Sequence, residues 1–110
     1  MNIKITARHF RSHETLTEYA RKSILELEHY YDGIIKADAI LSFEKPRDSV
    51  KTAEISLTVY GTVLTGIGHS ASFEKSIDLA IEKLKTRLKK YKEKLHAKDR
   101  KGVRKVREKE

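Results

Sequence analysis

The chain has no cysteine, no tryptophan and a single proline in 110 residues. Without cysteine there are no disulfides, no thiolate metal sites and no cysteine nucleophile. No apolar run approaches the roughly 20 residues a membrane span needs. The opening "MNIKITARHF" lacks the apolar stretch of a secretory signal. A cytoplasmic, reduced setting is therefore the expectation, with no membrane partner. Phosphate-cradling loops are missing too. "GTVLTGIGH" has glycines but no Walker pattern, and no GxGxxG opens a helix. Of the histidines His9, His13, His29, His69 and His96, only His9 and His13 sit at a ligand-like spacing. They straddle an element boundary, and no third ligand lies near in sequence. Ser, His and Asp occur, but their presence alone does not make a triad. The reading is a non-enzyme with no cofactor, no metal and no small-molecule substrate.

What the chain does have is positive charge, held at one end. Residues 1–82 carry ten Lys/Arg and twelve Asp/Glu, a net −2, whereas residues 83–110 carry fourteen and four, a net +10. Charge concentrated in this way makes a directional field, whose usual partners are nucleic acid or anionic lipid.

Hydrophobic periodicity sets the elements. "NIKITAR" alternates as a half-buried strand. Leu16, Ala20, Ile24, Leu27 and Tyr31 then recur at helical spacing, with Ser12 or Thr15 as the expected N-cap, Thr15 and Glu18 as a capping box, and Gly33 at the C-terminal side. "KADAILSFEK" alternates and stops at Pro46, where "PRDS" reads as a turn. "KTAEISLTVY" places Ala53, Ile55, Leu57 and Val59 inward, and Thr52, Glu54, Ser56, Thr58 and Tyr60 on a solvated face. A tight "YGT" connection leads to "VLTGIGH", where Leu64, Gly66 and Gly68 share one side. Bare glycine positions in a strand suit close approach of a helix. That helix starts near Ser70 or Ser72 and bears the stripe Phe73, Ile77, Ala80, Ile81, Leu84, Leu88, Tyr91 and Leu95, with Gly102 as its expected end. The order is β-α-β-β-β-α. The expected fold class is α+β, a two-layer sandwich of a four-stranded mixed sheet with two helices on one face. Residues 1–100 form the expected domain, and 101–110 a basic, disordered tail.

On the last helix, Lys83, Arg87, Lys90 and Lys94 recur at spacings of four, three and four along one shoulder of the apolar stripe. No acidic residue falls inside that row, while Glu74, Asp78, Glu82 and Glu93 mix with Lys85, Lys89 and Lys92 on the other side. The helix macrodipole accounts for a basic residue such as Lys92 or Lys94 near the C-terminus. It does not account for an unneutralised row of about three turns. Lipid insertion would need apolar residues that the core already claims. Nucleic acid is therefore the expected partner. The row suits phosphates rather than base edges, and RNA recognised by shape and backbone rather than a DNA sequence.

Three segments carry a family resemblance. "LEHYYDGI" (27–34), "SFEKSIDLAIEKL" (72–84) and "LKKYKEKL" (88–95) resemble the ribosome hibernation-promoting factor family, which includes the ribosome-associated inhibitor protein Y. The likeness runs from Met1 to about Lys94. It implies a fold similar to a double-stranded-RNA-binding domain. It also implies docking on the small (30S) ribosomal subunit over the A and P sites, contact with 16S ribosomal RNA, and arrest of translation in stress or stationary phase, on 70S or 100S ribosomes. Lys83, Lys90 and Lys92 match basic positions of the family motif. An Arg-Gln pair usual before Leu88 stands here as Thr86-Arg87, and Ser72 and Glu74 replace an Asp and a Tyr. The ribosomal-RNA-binding candidates are thus Lys83, Arg87, Lys90, Lys94 and Lys92, with Lys22 on the first helix. The length and the basic ending resemble the short form, without a dimerising domain or an acidic tail. The alternative is a general RNA-binding or chaperone-like module.

Overall fold

The computed structural model describes residues 1–8, 10–43 and 50–109, with side chains described as far as Leu95. The elements are β1 (Asn2–Arg8), α1 (Glu14–Leu25) continued by a 3₁₀ turn (Glu26–His29), β2 (Lys36–Phe43), β3 (Lys51–Val59), β4 (Thr62–Ser70) and α2 (Phe73–Lys109). One sheet holds the strands in the order β1-β2-β3-β4. β1 and β2 run parallel, and the other pairs are antiparallel. This is the expected β-α-β-β-β-α sandwich. The turn at "PRDS" and the residue His9 lie outside the described residues, as do the side chains of the expected tail 101–110.

The register explains how α2 lies so close to the sheet. Ile5, Ala39, Ile55 and Gly66 form one cross-strand row. Ala7, Leu41, Ala53 and Gly68 form the next. Both rows end on glycine at the edge strand β4, where α2 crosses. A Cβ added at Gly66 would stand 2.5 Å from the Ala80 carbonyl oxygen, and one at Gly68 would meet the Ser76 carbonyl. The absent side chains therefore let helix backbone rest on strand backbone. The core around this contact comprises Ile77, Ala80, Ile81, Leu84 and Leu88 of α2, Ala20 and Ile24 of α1, Leu27, and the inward residues of β2 and β3.

Ser72 starts α2: its Oγ accepts from the Lys75 amide at 3.2 Å. Ser76, fully buried, donates to the Lys51 carbonyl at 2.6 Å and pins the first turn to β3.

Three local expectations differ from what is found. His13 is the N-cap of α1 and makes no side-chain cap bond. Ser12 Oγ instead pairs with Thr17 Oγ1 at 3.0 Å, and Glu18 forms an ion pair with Arg21 at 3.5 Å, so the Thr15–Glu18 box does not form. Gly33 does not take a left-handed cap: the helix tightens into its 3₁₀ turn instead, and among the described residues Gly61 is the glycine with positive φ, at 84°. α2 continues past Gly102 to Lys109. Glycine inside a helix costs about 1 kcal/mol but does not forbid it.

Candidate nucleic-acid interface

The buried stripe divides α2 into two flanks with different neighbours. One flank faces α1 and the 3₁₀ turn. There Tyr19 donates its phenol proton to Asp78, and Lys85 stands 5.4 Å from the centre of the Tyr30 ring while pairing with Glu82 at 3.2 Å. The Asp78 carboxylate raises the Tyr19 pKa to about 12, first through that hydrogen bond and then with help from desolvation. An open groove of about 560 Å³ lies on this flank. His29 and Tyr30 line one side, and Lys85, Thr86, Lys89, Lys92 and Glu93 the other. Its charge is mixed: Lys85 is paired with Glu82, and Glu93 lines the groove beside the lysines.

The opposite flank overhangs β4. The four row residues stand here, all exposed. They are not equivalent. Lys83 Nζ donates to the Ile67 carbonyl of β4. β4 is an edge strand, and a lysine that caps an edge carbonyl blunts that edge against stray strand pairing. Arg87, Lys90 and Lys94 form no ion pair or hydrogen bond through their side chains among the described residues. They recur within about 11 Å along the helix axis, at 1.5 Å per residue. Tyr91, half-buried on the apolar stripe, lies next to this row. Its hydroxyl donates to the Tyr60 carbonyl at 2.7 Å, and its ring meets Tyr31 edge-on at 5.4 Å. Burial and the contact with Tyr31 raise the Tyr91 pKa.

The structure thus gathers Lys83, Arg87, Lys90 and Lys94 on one flank. Lys92 lies on the other flank, in the groove, and Lys22 is exposed in the last turn of α1, away from the row. Two features escaped the periodicity. Lys83 has a strand carbonyl as partner, which no one-dimensional pattern reveals. The alternation puts Tyr60 on the solvated strand face, but β3 ends at Val59 and Tyr60 sits at the hairpin tip, 81% exposed. Among the described residues no group of three or more His, Cys, Asp or Glu is arranged to hold a metal ion, and no helix is long and apolar enough to cross a membrane.

Two helices on one face of a mixed sheet, one of them with an exposed basic flank, define a small α+β sandwich domain whose positive charge is gathered along one helix. More particularly, the chain belongs to the family described as Sigma 54 modulation protein / S30EA ribosomal protein, whose model matches residues 3–96. It is 26% identical over 100 residues to the ribosome hibernation promotion factor of Bacillus subtilis, a match covering 91% of this chain and 53% of that protein. The chain therefore spans about half the length of that relative. A ribosomal subunit interface protein from Coxiella burnetii has the same fold, with a TM-score of 0.76 at 24% identity over 84% of this chain and 98% of that one. The N-terminal domain of Thermus thermophilus protein Y is similar at a TM-score of 0.72 and 27% identity, over 83% of this chain and 99% of that one. The expected fold and the expected family are both borne out.

Proposed function

We propose that this chain is a ribosome hibernation factor that acts by occupancy rather than catalysis. It docks on the small ribosomal subunit through 16S ribosomal RNA and holds translation off in stress, in the cytoplasm where ribosomes work. One observation carries the reading: Arg87, Lys90 and Lys94 form an exposed basic flank with no acidic partner among the described residues, on a domain of this family. Rigid helical spacing presents these charges at fixed intervals to a phosphate backbone. Backbone and shape contacts of this kind are how structured RNA is held.

The test is co-sedimentation of the purified chain with small subunits. Arg87→Glu, Lys90→Glu and Lys94→Glu together abolish pelleting while the thermal midpoint stays near wild type, since all three positions are exposed. Undiminished pelleting of the triple variant overturns the reading. Gradient profiles of ribosomes from stationary-phase cells, with and without the protein, then separate silencing of 70S particles from formation of 100S pairs.

A further inference from the structure

We propose that Tyr60 is a stacking platform for one unpaired RNA base, working beside the basic flank of α2. The inference rests on the RNA-binding reading of that flank and names a feature of the RNA it prefers.

The argument starts from the turn. Val59 pairs with Thr62, so Tyr60 and Gly61 are the two central residues of the β3–β4 hairpin. Gly61 takes the positive-φ place, at 84°. The geometry therefore requires the glycine and makes no demand for an aromatic ring at its neighbour. Yet the neighbour is a tyrosine, 81% exposed, more than any other large hydrophobic residue described. The ring contributes little to the core, so folding gives no reason for it.

The tip is also held in place. Tyr91 donates its hydroxyl proton to the Tyr60 carbonyl at 2.7 Å, and Tyr91 is itself braced edge-on by Tyr31. The Tyr60 backbone is thereby fixed against α2 at the position flanked by Arg87, one turn earlier, and by Lys90 and Lys94. Along the axis these lie roughly 1.5–6 Å from Tyr91 at 1.5 Å per residue. β4, which carries the tip, is the strand the basic flank overhangs, as the bond from Lys83 to Ile67 shows. A solvent-facing ring on an anchored turn, with three cations on the helix that anchors it, is the pairing that single-stranded nucleic acid uses: bases stack on the ring while the cations take the flanking phosphates. A fully paired helix keeps its base faces covered and cannot engage the ring.

The chain contains no tryptophan, so Tyr60→Trp supplies a single reporter. The probes are an RNA hairpin with one bulged adenosine and its fully paired counterpart, each titrated into the whole chain. The bulged RNA quenches the tryptophan emission of Tyr60→Trp and the paired RNA does not. Tyr60→Ala loses about tenfold in affinity for the bulged RNA, within the range measured for lost base–aromatic stacking. It binds the paired RNA as wild type does, and Tyr60→Phe retains the preference. If Tyr60→Ala holds the bulged RNA as tightly as wild type, or the tryptophan emission is unmoved while RNA binds, the stacking proposal falls and the basic flank stands. If the Arg87, Lys90 and Lys94 charge reversals leave both RNAs bound, the flank reading falls and the proposal falls with it.

Discussion

Tyr19 and Asp78 show how one residue couples the two helices. Tyr19 is on α1, Asp78 is on α2, and the hydrogen bond between them joins residues 59 apart in sequence. With its pKa raised to about 12, the phenol holds its proton in the folded chain at pH values where an unfolded tyrosine, near 10, has lost it. The unfolded state then binds fewer protons, so stability falls as pH rises. The contribution is intact below pH about 10 and is lost between about 10 and 12. Tyr19→Phe removes that part of the slope, and Asp78→Asn returns the tyrosine toward its ordinary value. Urea midpoints across this range, with tyrosinate absorbance followed in parallel, check both. A wild-type and Tyr19→Phe difference that does not change with pH contradicts the coupling.

At the scale of elements, the glycines of β4 decide how near α2 can come. Gly68→Ala drives a methyl into the backbone of Ser76, where no flexible side chain can yield. Overpacking of this kind costs about 1–3 kcal/mol. Gly61→Ala meets nothing within 4 Å and bears only the strain of its φ of +84°, of order 1 kcal/mol. Gly68→Ala is therefore the more damaging of the two in urea denaturation, and equal midpoints would count against the close contact. The strands and the glycine-lined contact were legible because burial on one face writes a period of two into the chain, as in "KTAEISLTVY", and a helix resting on a sheet needs bare positions. The start of α1 was not legible, because Ser12, Thr15 and Glu18 all have the chemistry to cap. None of them does: Thr17 holds Ser12, Arg21 holds Glu18, and His13 stands at the N-cap without a side-chain cap bond. The basic row was legible as a row, since helical spacing fixes which residues share a flank. Its internal division was not, because the carbonyl that takes Lys83 belongs to a strand 16 residues away.

The whole molecule separates its charge from its fold. Residues 1–82 supply the sheet, α1 and the first turns of α2 at a net −2, and the excess of positive charge begins at Lys83. Within that excess, Lys85 is paired with Glu82 and Glu93 lines the same groove as Lys85, Lys89 and Lys92, whereas Arg87, Lys90 and Lys94 form no ion pair among the described residues. Phosphate binding should therefore depend on the second group more than on the first, although both carry the same formal charge. Counterion release makes the difference measurable: each phosphate neutralised on structured RNA adds close to one unit to the slope of log affinity against log salt. Reversing Arg87, Lys90 and Lys94 lowers that slope by about two to three units. Reversing Lys85, Lys89 and Lys92 changes the net charge by the same amount and lowers the slope by about one or less. Affinities for small subunits measured from low to moderate salt decide between them. Equal slopes for the two triple variants would mean that net charge alone, and not its placement on the β4 side of α2, governs binding.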